Sequence, residues 1–291
     1  MQGSYIIITP AFNEENNIRR TIESILKQTV LPLEWIIVND GSTDSTSQII
    51  LNYSTRFSWI RLLEFSQSNV AFGEHVFENF YRGFGNIKGK DWKFIMKLDA
   101  DLEIDRPDFI EYQLGMFKKF PELGISSGIT YSIIGGQKVL TQGRPNWRTG
   151  GAMKFYRREC FEQIGGLKPI FGWDGLDEYQ AMFYNWKTRT FFDLHVNHLG
   201  KIRALSREKT ILLAKAKGKS LYQRGYPIEF VITKGISLMF RSKEHGKALF
   251  KGYFLARRTK EKQYVERKEK QFFRKFQYMR LYNILFNREG L

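Results

Sequence analysis

The chain is 291 residues long, enough for one large domain or two small ones with a sizeable core. Its single cysteine, Cys160, excludes an internal disulfide framework and fits a reducing compartment. The formal charge of +16 is uneven, since residues 1–200 carry 22 Lys and Arg against 23 Asp and Glu, while residues 201–291 carry 24 against 7. Basicity confined to the last third predicts a boundary near residue 204. No apolar run approaches the roughly 20 residues that cross a bilayer. The opening residues lead into only three isoleucines, too short a run for a secretory signal.

Tyr5-Ile6-Ile7-Ile8-Thr9 predicts a buried parallel strand that stops at Pro10. Asn13 is placed to cap a helix whose apolar face is Ile18, Ile22, Ile25 and Leu26. Residues 34–39 predict a second strand, and the Asp40-Gly41 step turns the chain. Ser42 or Asp44 then caps a helix bearing Ile49, Ile50 and Leu51. A third strand is predicted at 61–65, a third helix at 76–84 and a fourth strand at 94–98. This alternation predicts a doubly wound, mostly parallel α/β sheet. Gly83-Phe84-Gly85 with Gly89 has the wrong spacing for a dinucleotide fingerprint.

The fourth strand breaks into Asp99-Ala100-Asp101. In an extended chain, positions i and i+2 point the same way, so both carboxylates would aim beyond the strand's carboxyl end. Open α/β sheets put their ligands there. Two hard oxygen ligands suit Mg²⁺ or Mn²⁺ carrying a diphosphate. The plain alternative is that Asp99 caps a turn and Asp101 is solvated.

Three segments carry a resemblance. Ile8-Thr9-Pro10-Ala11-Phe12-Asn13-Glu14, then Val38-Asn39-Asp40-Gly41-Ser42-Thr43-Asp44, then Asp99-Ala100-Asp101 look like glycosyltransferase family 2, the inverting nucleotide-sugar transferases of GT-A fold. The match continues through Gly150-Gly151-Ala152, Tyr156-Arg157-Arg158 and Ile164-Gly165-Gly166-Leu167. It then reaches the run from Gly172 to Glu178 and finally His198, so it covers roughly residues 4–200.

The resemblance implies a donor pocket lined by Thr9, Pro10, Ala11, Phe12 and Glu14, with Asp40 bonding the base, commonly uracil. It implies that Asp99 and Asp101 hold Mn²⁺ or Mg²⁺ on the diphosphate, with Lys97 and Gly151 beside the donor and His198 facing the metal or diphosphate. Small residues at 150–152 suit close backbone approach to a ligand, or equally a plain turn. Arg157 and Arg158 read as a solvated surface pair. Trp147 could stack on a sugar ring or cover core.

An inverting transfer needs a base on the acceptor hydroxyl. The family supplies it from a Glu-Asp motif, and the corresponding run here is Trp173-Asp174-Gly175-Leu176-Asp177-Glu178. Counting back from Trp186 puts Asp174 at the base position, with Trp173 where Glu is commoner. Asp177 and Glu178 share its helical face at i+3 and i+4 and remain alternatives.

Residues 205–291 predict basic, aromatic-rich helices. Phe272, Phe276, Met279, Tyr282 and Phe286 form an amphipathic stripe, which suits an anionic membrane surface. A helical cap on the catalytic domain is the plain alternative. Nucleic acid is not an expected partner, because no recognised module accompanies the charge. The resemblance, with the charge split, thus implies an inverting metal-dependent transferase moving a sugar, UDP-linked by preference, to a lipid-linked glycan acceptor; a transferase with a soluble or protein acceptor and a non-catalytic nucleotide-binding scaffold are the alternatives. Its expected place is the cytoplasm, peripheral at the membrane's cytoplasmic face.

Overall fold

The computed structural model describes residues 4–66, 75–134, 137–140, 145–200 and 206–285. Two compact units divide the chain. One comprises residues 1–167 and 184–201, the other residues 168–183 and 202–291. The expected boundary at 204 falls outside the described residues.

The first unit opens with β1 (Tyr5–Ala11), α1 (Ile18–Leu26), β2 (Glu34–Asp40), α2 (Thr46–Ser54), β3 (Ile60–Phe65), α3 (His75–Phe84) and β4 (Phe94–Leu98). There follow β5 (Leu102–Ile104), α4 (Phe109–Lys119), β6 (Leu123–Ile134), β7 (Gln137–Leu140), β8 (Met153–Arg157), α5 (Arg158–Gln163) and, after a departure into the second unit, β9 (Lys187–His198). The strands form one sheet in the order β3-β2-β1-β4-β8-β6-β9-β5, with β7 beside β6. Pairing is parallel from β3 to β4. Beyond it β8 enters antiparallel, and β6 with β9 is parallel again. The doubly wound α/β arrangement is the one the sequence predicts, with the antiparallel β8 making the sheet mixed.

Strand alternation explains how helices occupy both faces. Tyr5 and Ile7 of β1, with Trp35 and Ile37 of β2, join a core with Ile18, Ile22 and Ile25 of α1, Ile50 of α2 and Phe109 of α4. The opposite face carries Ile8 and Val38, against which α3 lies so closely that a Cβ on Gly83 would come within 2.7 Å of Ile8 Cγ2. Gly83 is therefore a contact glycine and serves no nucleotide fingerprint.

Several local expectations change. The first strand runs through Pro10 to Ala11, because β4 stops pairing β1 at Ile8 and leaves one flank open. Asn13 adopts φ 55° in the loop, so α1 begins only at Ile18. Leu51 is exposed, since α2 buries Ile50 and Tyr53 instead. Arg157 is no surface charge, because it donates to the carbonyls of Leu123 (3.0 Å) and Phe117 (2.6 Å). Arg158 donates to Lys90 O (2.7 Å) and lies over the Trp92 ring. Trp147 is buried and covers core.

The second unit contains α6 (Trp173–Phe183), α7 (Arg207–Gln223), α8 (Ile228–Arg241), α9 (Lys243–Arg258) and α10 (Arg267–Leu285). Glycines set its helix contacts. A Cβ on Gly218 of α7 would collide with Leu249 O of α9, and one on Gly252 of α9 would collide with Lys215 O of α7. The helices touch through backbone. Helix α6 is held on α10 by Tyr179 against Phe273 and Phe276, by Phe183 against Phe272, and by Gln180 Nε2 donating to Glu269 Oε1 at 3.1 Å. This demand rotates α10 away from the predicted stripe. Phe273, Phe276 and Gln277 are buried, whereas Met279 and Tyr282 are exposed. Phe286 lies outside the described residues.

Candidate active site

The ends of β1, β2 and β4 build the site, as the parallel order demands. The loops after β1 and β2 are tied together by side chains that both motifs contribute. Asn13 N donates to Ser42 Oγ at 2.9 Å, Thr43 N to Asn13 Oδ1 at 2.9 Å, and Glu14 N to Thr46 Oγ1 at 2.7 Å. Asp44 accepts from Thr46 N at 3.0 Å and from Glu15 N at 3.1 Å. These bonds hold its carboxyl below the usual range even though partial burial pushes the other way.

Between these loops and α3 lies a cavity of about 300 Å³ lined by Pro10, Ala11, Phe12, Glu14, Asp40, His75, Val76 and Asn79. Of the expected pocket residues, Thr9 does not reach it. Its side chain is buried, and the hydroxyl accepts from Trp35 Nε1 at 2.9 Å. Phe12 presents an exposed ring, whereas Asp40 is buried. The Asp40 carboxylate lies 3.3 Å from Arg82 Nη1 and 3.6 Å from His75 Nδ1. Sequence reading missed this contribution of α3. Its trace in the sequence was the polar set Glu78, Asn79 and Arg82 within the third predicted helix.

Asp99 and Asp101 sit in a turn rather than an extended run, because the chain must reverse for Leu102 to pair antiparallel with His198. They nevertheless share a site. Burial, and after it the charge of Asp99, push the Asp101 carboxyl above its usual range, with His198 and Lys97 acting in the opposite sense. His198 Nε2 is 3.5 Å from Asp101 Oδ2. Lys97, almost fully buried, pairs with Asp99 and donates to Gly151 O at 2.8 Å, so Gly151 touches the site through its carbonyl. Asp99 N donates to Ala152 O at 2.9 Å. Neither Gly150 nor Gly151 has a positive φ. His195, on the same strand as His198, is exposed beside the Tyr131 ring.

Among the described residues no three His, Cys, Asp or Glu side chains converge as a closed metal cage. What is present suits a hard cation shared with substrate phosphates. Asp99 and Asp101 offer hard carboxylate oxygens, and the charge of Asp99 adds to burial in raising the Asp101 carboxyl. His198 Nδ1 is buried with no hydrogen bond. Gly200 packs against both, since a Cβ there would displace Asp101 Oδ2 and stand 2.9 Å from His198 Cε1. Glu14, which lines the cavity, feels the acid pair: burial raises its carboxyl, the bond from Asn17 lowers it, and the charges of Asp101, Asp99 and Asp44 add to the rise.

The remaining acids lie on α6 in the second unit. Asp174 is in the first turn and half-buried, whereas Asp177 and Glu178 are buried. Asp177 Oδ1 accepts from Glu178 N at 2.7 Å. Of the three, Asp174 is the one left accessible.

The model of glycosyl transferase family 2 matches residues 6–171. Hyaluronan synthase of Pasteurella multocida is 33% identical over 113 residues, 39% of this chain and 11% of its own. Poly-beta-1,6-N-acetyl-D-glucosamine synthase of Staphylococcus epidermidis is 32% identical over 117 residues, 40% of this chain and 26% of its own. The matched segment thus spans a small part of these curated relatives. Among solved structures, mannosyltransferase PcManGT of Pyrobaculum calidifontis, in complex with GDP-Man and Mn²⁺, superposes with a TM-score of 0.56. That match is at 13% identity and covers 88% of this chain and 70% of the other. S. aureus TarS with UDP-GlcNAc gives 0.54 at 16% identity, covering 74% and 66%. These likenesses establish the GT-A fold.

Proposed function

The chain belongs to glycosyl transferase family 2, and we propose that it moves a sugar from a nucleoside diphosphate, UDP by preference, to a hydroxyl of a lipid-linked glycan. One observation carries the reading. A cavity ending in a buried carboxylate, Asp40, lies beside a carboxylate pair, Asp99 and Asp101, of which burial and then the charge of Asp99 raise the Asp101 carboxyl above its usual range.

Each part has a role in this reading. The exposed Phe12 ring offers a face for a base, and Asp40, oriented by Arg82 and His75, accepts from a base N–H such as that of uracil. Asp99 and Asp101, with His198 beside them, would hold Mn²⁺ or Mg²⁺, which when bound supplies positive charge to the diphosphate oxygens. Lys97 fixes Asp99 from beneath. Asp174, with Asp177 and Glu178 as alternatives, takes the acceptor hydroxyl proton as that oxygen bonds to the anomeric carbon and the sugar–phosphate bond breaks. Single displacement inverts the carbon. The names of the curated relatives, a hyaluronan synthase and a poly-beta-1,6-N-acetyl-D-glucosamine synthase, and the solved complexes with UDP-GlcNAc or GDP-Man support the substrate class.

The membrane part of the reading rests on charge. Residues 201–291 carry a net +17, and each Lys or Arg near an anionic surface contributes about 1 kcal/mol. The expected place is the cytoplasmic face.

A thermal-shift screen of nucleotide sugars tests the donor reading. A UDP-sugar should raise the melting temperature only with Mn²⁺ present, since ligand at about 100 times its Kd adds about 2.7 kcal/mol. Stabilisation by no nucleotide sugar would overturn it. Donor hydrolysis by the wild type and not by Asp99→Ala separates an enzyme from a nucleotide-binding scaffold.

A further inference from the structure

Helix α8 carries an apolar stripe on its open side. Ile228, Ile232, Ile236 and Phe240 recur at every fourth position, and all four are exposed, Phe240 at 89%. The helix does not need this face for its own packing. Its other seam is already filled, with Val231 buried, Gly235 against the Phe250 ring and Met239 against Gly246 of α9. Such a stripe on a soluble surface marks an interaction site.

The surroundings choose the partner. The one acidic residue on α8, Glu229, is paired with Arg274 at 3.2 Å and hydrogen-bonded by Tyr278 of α10. Its charge is neutralised within the protein. The cations Lys234, Arg241, Lys243 and Lys247 lie exposed on α8 and at the start of α9. Residues 206–285 hold 21 Lys and Arg against 6 Glu, so a second copy would bring like charge against like charge. An anionic surface would be attracted. At 14 residues α8 is too short to span a bilayer, and among the described residues no helix is long and apolar enough to cross one. The Tyr278 ring, 5.2 Å from that of Phe230, flanks the stripe with an amphipathic side chain suited to the headgroup level.

We propose that the stripe Ile228–Ile232–Ile236–Phe240 seats α8 flat in the headgroup–acyl boundary of an anionic bilayer. The inference rests on the membrane reading above and deepens it. Charge on the second unit brings the chain to the surface, and α8 is the part that enters.

The test uses the full chain and vesicles of phosphatidylcholine with or without phosphatidylglycerol. An environment-sensitive fluorophore placed on Phe240→Cys labels an exposed site, while Cys160 is buried. Its emission should shift to the blue with anionic vesicles and be quenched by brominated acyl chains. The double variant Ile232→Asp, Ile236→Asp should bind these vesicles at least about tenfold more weakly, since charge in place of buried apolar surface opposes insertion. It should keep the wild-type melting temperature and donor hydrolysis. If the wild type binds anionic vesicles while the probe stays in water and the double variant binds equally well, the inference about α8 is overturned and charge-driven binding survives. Wild-type failure to bind either vesicle overturns both. A concentration-dependent dimer that the double variant abolishes would instead make the stripe a subunit interface, and overturn the inference.

Discussion

His198 Nε2 stands 3.5 Å from Asp101 Oδ2, joining the end of the last strand to the turn after the fourth. The contact exists because Leu102 and His198 are register partners. It brings a soft-edged ring nitrogen to a carboxyl that is costly to ionise, and Gly200 leaves the room for it.

Asp101→Asn should therefore keep the fold and lose most Mn²⁺-dependent donor binding, because a charged hard ligand at the phosphates is gone. Titration calorimetry with a UDP-sugar checks this. Unchanged metal-dependent affinity would remove Asp101 from the metal site.

Lys97 lies beneath Asp99. It is nearly inaccessible, and its ammonium serves Asp99 and Gly151 O. Lys97→Met should cost about 2 kcal/mol, the scale of charge-assisted hydrogen bonds lost to a partly buried partner. Urea unfolding measures it, and a loss below a few tenths would show that the pair contributes little.

Asp174→Asn should leave donor affinity nearly intact and lower turnover roughly 100-fold or more, the scale of a lost general base. Asp177→Asn and Glu178→Gln should instead lower stability, since both side chains are buried. An inactive Asp177→Asn beside an active Asp174→Asn would move the base by three residues.

Asp44 couples the two donor-side loops, and its carboxyl is held low by the bonds it accepts. A depressed folded pKa means its contribution is full above the usual carboxylate value and fades as pH falls through the folded one. Asp44→Ala should cost about 1 kcal/mol near neutrality. The difference from wild type should shrink in acid. A pH-independent difference in melting temperature would assign the effect to shape alone.

Gly218→Ala should destabilise the second unit by about 2 kcal/mol, because its Cβ would meet the Leu249 carbonyl oxygen and α7 and α9 would have to part. Hydrogen exchange of α7 and α9 should rise while β1 and β2 stay protected. Equal exchange in both variants would show that the contact relaxes freely.

The sequence by itself determined the alternating strands and helices, the acids at strand ends and the charge split, because these depend on period and local turn chemistry. Residues such as Asp40, Asp99 and Asp101 were legible since they lie at or just past the end of a strand whose apolar run is unmistakable. Only the tertiary structure decided what touches them. His75 and Arg82 reach Asp40 because α3 lies across β1 and β2 at Gly83, a contact between distant segments that no local pattern encodes. The same holds for α10. Its periodicity allows two adjacent apolar faces, and α6, by presenting Tyr179 and Phe183, selected Phe273 and Phe276 for burial and left Met279 and Tyr282 outside. A helix can state how much apolar surface it carries, and its neighbours decide which part is hidden.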